Sequence, residues 1–308
     1  MLPSFFIIGA PKCGTTSVAS WLHGHPQIFM PKIKELSYFD WDNPLVGVRK
    51  RKDYFRFFSG VTAEHKVVGE ASPNYLCSKV AIDNILTFNP ESKFIVLLRN
   101  PVEMAISLHA QLVFNFHEDE IDFERAWHLQ SIRKSGRHIP AHCKLPNFLQ
   151  YKEVCSLGNQ LELLFLKVMK EKIFIILLDD LHHDTIGIYR KLLNFLDVGD
   201  DGRRNFPILN TRRMGRPSPL HRFLRDIGYL KQRLGFGHIQ TSVGKRLDSF
   251  AVADSNCNLI STPKPAVIAM LEKEFSADTK LLEILTGRKF KNNLCSRRQS
   301  TTALAVGE

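Results

Sequence analysis

Residues 9–17 of this chain, GAPKCGTTS, bring together the residue types that hold a phosphate. Gly9 and Gly14 let the backbone approach an anion, Lys12 adds a mobile positive charge, and Thr15, Thr16 and Ser17 supply hydroxyls. An apolar run at 5–8 precedes them, and a periodic apolar stretch with Val18 and Leu22 follows. The order is strand, tight loop, helix start, and the N–H groups of a helix N-terminus form an anion site. The spacing of Gly9 and Gly14 is that of a Walker A loop, but Thr15 stands where that loop has lysine, and the lysine comes earlier. That displacement argues against an ordinary nucleoside triphosphatase.

Two further segments carry chemistry. Arg99 ends the apolar run at 93–98, where open α/β sheets bind ligands, and Ser107 follows on the next helix. A guanidinium fork and a hydroxyl so placed can converge on a second phosphate. In PKIKELSYFD, Glu35 follows Lys32 and Lys34, which would favour its ionised form and could hold an anionic acceptor. A carboxylate of this kind can take the proton of an attacking hydroxyl. Glu70, in VGEASPNYL, is the rival base; it could instead pair with Lys12 or help orient the acceptor, and a purely structural ion pair is its other reading.

The order G-x-x-K-x-G-T-T resembles the 5′-phosphosulfate loop of sulfotransferases that use 3′-phosphoadenosine 5′-phosphosulfate (PAPS). Arg99 and Ser107 resemble that family's 3′-phosphate segment, and the lysine–glutamate stretch resembles its heparan-type and bacterial members, whose base maps onto Glu35. The resemblance runs from about Phe5 to Leu294. It implies sulfuryl transfer to a hydroxyl or amine, with Lys12, Cys13, Gly14, Thr15, Thr16 and Ser17 at the 5′ end of the cofactor and no catalytic metal. Lys12 would stabilise the leaving oxygen, and 3′-phosphoadenosine 5′-phosphate (PAP) would be the product. Arg212, Arg213 and Gly215 lie where family members close a loop over the cofactor, and Arg213 is the expected contact. The chain departs from the pattern at Ala71, where some members have lysine, so no lysine contact is expected there.

These residues need a scaffold. Short β-branched runs alternate with helical stretches, which predicts a three-layer α/β fold of P-loop-like type, a central parallel sheet flanked by helices. Strands are expected at 5–8, 66–69, 93–98 and 173–178. Helices are expected at 16–23, 81–88, 101–113, 123–134, 157–169, 185–196, 220–234 and 265–285. Asn100 should cap the helix that Pro101 begins. Residues 116–144 read as a lid that selects the acceptor through Phe116, Trp127, Arg133, Lys134 and Arg137. The run FIILLDD at 174–180 mimics a Walker B strand, but Asp179 and Asp180 are expected to be structural. One domain is expected over 1–295, with a disordered tail at 296–308.

The chain has 308 residues, with 42 Lys and Arg against 31 Asp and Glu and a formal net charge of +11. An anionic cofactor or polyanionic substrate suits that balance, and no zinc-finger, RNA-binding or coiled-coil basic motif calls for nucleic acid. The six cysteines form no C-x-x-C pair, no apolar run reaches the roughly 18 residues of a membrane span, and no secretory leader is visible. A cytoplasmic protein with reduced thiols is expected. The acceptor, a small molecule or a glycan, is not legible. A P-loop kinase, a non-catalytic polyanion-binding protein and an inactive sulfotransferase relative are the open alternatives.

Overall fold

Strand β1, Phe5–Gly9, is buried along its whole length and occupies the middle of a five-stranded sheet. The other strands are β2, Ile28–Phe29, β3, Val67–Ala71, β4, Lys93–Leu98, and β5, Ile173–Leu177. Their spatial order is β2-β3-β1-β4-β5, and every pairing is parallel. Ile7 sits opposite Ala71 on one side and Ile95 on the other, and Phe94 faces Ile173. A parallel sheet covered on both faces needs continuous apolar strands, which is why FFII and FIVLL carry no alternation. Gly69 leaves room for the Phe5 ring, since a Cβ at that position would lie 2.1 Å from it.

This is a computed structural model, and it describes residues 2–43, 47–209, 263–292 and 294. Its helices are α1, Thr15–His23, α2, Arg51–Arg56, α3, Ala81–Phe88, α4, Pro101–Phe114, α5, Phe123–His128, and α6, Gln130–Lys134. There follow α7, Tyr151–Cys155, α8, Leu157–Lys167, α9, Leu178–His183, α10, Thr185–Phe195, α11, Pro265–Glu274, and α12, Ser276–Thr286. Asn100 caps α4 as expected, its Oδ1 accepting from Val102 N at 2.9 Å, while its Nδ2 donates to the Phe290 carbonyl. Asp184 caps α10 in the same way through Gly187 N. The expected helix at 123–134 is two short helices broken at Leu129, and the one at 265–285 breaks at Phe275. The expected helix at 220–234 and the tail at 296–308 lie outside the described residues.

Contacts divide the chain into two units. The first holds the sheet and comprises residues up to 105, 152–209 and those from 270 on. Strand order reverses at β1: the chain moves to β2 and β3 on one side, then to β4 and β5 on the other. The carboxyl ends of β1 and β4, side by side at this switch point, are where a ligand crevice forms in such sheets.

The second unit comprises 106–151 with 263–269 among the described residues. Its centre is a buried ion pair. Arg133 donates to Glu118 through both Nη atoms, at 2.5 and 2.6 Å, and both side chains are fully buried. Tyr151 Oη donates to the same carboxylate at 2.6 Å. Burial alone would push Glu118 up, but the hydrogen bonds from Arg133 and Tyr151 outweigh it and hold the carboxyl below its ordinary range. Trp127 is buried too. Arg133 and Trp127 therefore form the interior of this unit and do not face an acceptor, contrary to the expectation from sequence. The charge that reads as surface is consumed by a partner fifteen residues earlier.

Candidate active site

The β1–α1 connection turns through left-handed backbone at Lys12, φ 64°, and Gly14, φ 91°. Gly14 begins α1, no side chain caps that end, and its first turn holds no acid. No side chain or acid therefore offsets the positive end of the helix. Cys13 is buried, its N–H bonds the Ala10 carbonyl at 3.3 Å, and burial pushes its thiol up to about 12. It shapes the loop and is no nucleophile at neutral pH.

Arg99, at the end of β4, reaches across to this loop. Its Nη1 donates to the Lys12 carbonyl at 3.1 Å, and its Nη2 pairs with Glu103 on α4. Its Nε is buried without a hydrogen-bond partner. An orphaned guanidinium donor beside an uncapped helix start fits a phosphate-bearing ligand.

Lys34 and Glu35 approach from the β2–β3 connection. Lys34 Nζ donates to Thr16 Oγ1 at 2.6 Å and pairs with Glu35 Oε1 at 3.0 Å. Glu35 is half-exposed and holds left-handed backbone, φ 62°. That conformation is fixed from three sides. Glu35 N donates to Ala71 O at 2.7 Å, Ser37 N to Ser72 Oγ at 3.1 Å, and Arg49 Nη1 to Ser37 O at 2.6 Å. Lys12 thus lies in the turn before an uncapped helix start, and Lys34 ties the Glu35 carboxylate to the first turn of that helix. Residues 2–205 also match the sulfotransferase domain family.

The chain belongs to that family. It is an enzyme, a sulfotransferase. It is 26% identical to mouse carbohydrate sulfotransferase 15, over 82% of this chain and 54% of that protein. It is 34% identical to the membrane-associated sulfotransferase kil1 of Dictyostelium discoideum, over 34% of this chain and 22% of that one. A mouse bifunctional heparan sulfate N-deacetylase/N-sulfotransferase 4 shares 32% identity over 38% of this chain and 15% of its own length. The chain thus spans about half or less of these relatives. The fold matches a sulfotransferase structure from Alicyclobacillus acidocaldarius with TM-score 0.68 and 23% identity, covering 94% of this chain and 97% of that one.

In this sulfotransferase Glu70 is not available as a base. It is buried on β3, and its two oxygens accept from Tyr54 Oη at 2.5 Å, Tyr75 Oη at 2.6 Å and Ser72 Oγ at 2.8 Å. Burial raises its carboxyl, with the three hydroxyls acting against the rise. Ser72 Oγ and Tyr75 Oη in turn receive the backbone N–H groups of Ser37 and Tyr38. Glu70 thus anchors the loop that carries Glu35. Asp40, later in that loop, is buried with neither oxygen hydrogen-bonded, and burial pushes it up to about 6 against the opposing charge of Arg49, 3.7 Å away.

Ser17 has a different employment from the one expected. Its hydroxyl bonds the backbone of Leu209, accepting from N at 2.9 Å and donating to O at 3.4 Å. The segment before Leu209 is fastened to α1 by Trp21, which donates to Pro207 O at 3.0 Å and packs edge-on against Phe206. Ser107 is partly buried on α4 and belongs to the second unit. Arg213 lies outside the described residues. Asp180 pairs with Arg288, in keeping with a structural role. Lys34, expected from sequence to favour the ionised form of Glu35 and to hold an anionic acceptor, is the side chain that joins Glu35 to Thr16 at the start of α1. Its place immediately before Glu35 was the available signal. Among the described residues no helix is long and apolar enough to cross a membrane, and no group of three His, Cys, Asp or Glu side chains could hold a metal.

Proposed function

We propose that this sulfotransferase moves the sulfuryl group of PAPS to a hydroxyl or amine of a glycan. The observation that carries the reading is the Thr16–Lys34–Glu35 chain, which places a half-exposed carboxylate within one lysine of an uncapped helix start. Backbone groups of Gly14, Thr15 and Thr16 receive the 5′-phosphate and the sulfonate, and Arg99 donates to the 3′-phosphate. Glu35 takes the acceptor's proton as the acceptor atom bonds to sulfur. The bond from sulfur to the bridging oxygen breaks in line, and Lys12 stabilises the electron pair left on PAP. The names of two relatives, a carbohydrate sulfotransferase and a heparan sulfate N-sulfotransferase, favour a glycan acceptor.

A kinase reading fares worse, because a P-loop kinase needs its lysine directly before the Ser/Thr, and Gly14 precedes Thr15 here. The acceptor half of the proposal is tested with sulfur-labelled PAPS and a panel of desulfated glycans beside simple alcohols and phenols. Label is expected on a glycan, without need for Mg²⁺. Label on phenols or alcohols alone would replace the glycan by a small-molecule acceptor.

A further inference from the structure

Lys34 holds a position that an ordinary ion pair does not require. Neighbouring side chains on extended backbone point to opposite faces, so Lys34 and Glu35 would diverge on a strand. The left-handed turn at Glu35 lets the two side chains meet, with Nζ 3.0 Å from Oε1. A non-glycine residue holds φ 62° only where its surroundings impose it. Here they do, through Ala71, Ser72 and Arg49. The constraint serves to carry Lys34 onto Thr16, the second residue of α1, at 2.6 Å. An exposed Lys–Glu pair alone contributes at most about 1 kcal/mol and would not justify the strained loop.

An ammonium has three N–H donors, and Thr16 and Glu35 account for two. The third remains for a ligand at the helix start. Its charge lies on the Glu35 side of the loop, whereas Lys12 belongs to the turn between β1 and α1. Resting on the PAPS reading above, we propose that Lys34 is a further catalytic residue, donating to a non-bridging oxygen of the sulfonate. As the acceptor bonds to sulfur and the bridging S–O bond breaks, Lys34 stabilises the equatorial oxygens while Lys12 stabilises the leaving one. Because Lys34 pairs with Oε1, the other carboxylate oxygen of Glu35 is left for the acceptor's proton while the third N–H holds the sulfonate. Base and donor are thereby coupled through one cation.

PAPS and PAP differ only in the sulfuryl group, so their affinities separate this role from a structural one. Both are measured by displacement of a fluorescent nucleotide bisphosphate, without acceptor, for wild type, Lys34→Met and Lys34→Arg. In Lys34→Met, PAPS affinity is expected to fall about tenfold or more while PAP affinity stays within about threefold. Lys34→Arg should restore part of the preference, and kcat of Lys34→Met should fall by about 10². An unchanged ratio of PAPS to PAP affinity in Lys34→Met would overturn the proposal. So would an equal loss of both ligands with a lowered melting temperature, the mark of a structural lysine. A wild-type protein that binds neither would overturn the PAPS reading itself, and the Lys34 role with it.

Discussion

Glu35→Gln is expected to lower kcat by about 10³ while leaving PAP affinity within a few-fold. General-base removal costs about 10² to 10⁴ in rate, and Gln keeps the shape of the side chain without accepting a proton. The loop should survive the change, because its conformation rests on backbone bonds to Ala71, Ser72 and Arg49, not on the Glu35 carboxylate. Lys34 loses one partner but keeps Thr16. Glu70 cannot take over, since three hydroxyls occupy its oxygens in the core. Steady-state kinetics with PAPS and a sulfated-product assay measure the effect. A variant within about tenfold of wild type would remove Glu35 as the base.

The largest effect on stability is expected from Arg133→Met. Taking one partner from a fully buried ion pair leaves an uncompensated charge, at a cost of about 3–5 kcal/mol. Glu118 would keep Tyr151 Oη and the backbone N–H groups of Asp119 and Glu120, but no cation. The sign of the pH dependence follows from its depressed pKa. In wild type the ion pair's contribution is full at neutral pH and is lost as pH falls through the folded-state value of Glu118. In the variant, burial without a cation raises that value, so the carboxyl protonates earlier on acidification. The gap between wild type and variant should therefore be largest near pH 7.5 and shrink toward pH 4.5. Urea melts at the two pH values measure it, and Glu118→Gln combined with Arg133→Met should recover much of the loss. A penalty below about 1 kcal/mol at pH 7.5 would show that the pair is not buried as described.

The sequence shows the sheet plainly because β1 and β4 rest on the apolar runs FFII and FIVLL, closed by Gly9 and Arg99. The α1 and α4 starts are legible for local reasons, the glycine turn at Gly14 and the Asn100–Pro101 cap. Strand β2 escapes because two residues, Ile28 and Phe29, carry no periodicity. The break at Leu129 escapes because neither Gly nor Pro marks it. In the site, the motifs locate Lys12, Thr16, Glu35 and Arg99, since each sits at a strand end or helix start whose position is local. Distances between segments are not local. Nothing in KIKE shows that Lys34 meets Thr16, that Ser17 is held by Leu209, or that Glu70 is enclosed by Tyr54 and Tyr75. Arg133 misleads for the same reason, as a charge in a polar segment is solvated unless tertiary contact supplies Glu118.

The donor class decides the account, and calorimetric titration with PAP, run beside ATP with Mg²⁺ on wild type and Lys12→Ala, measures it most directly. Micromolar PAP binding to wild type is expected, weakened at least tenfold in Lys12→Ala, with no comparable heat for ATP. Binding of ATP with Mg²⁺ and not of PAP would contradict the account and favour phosphoryl transfer.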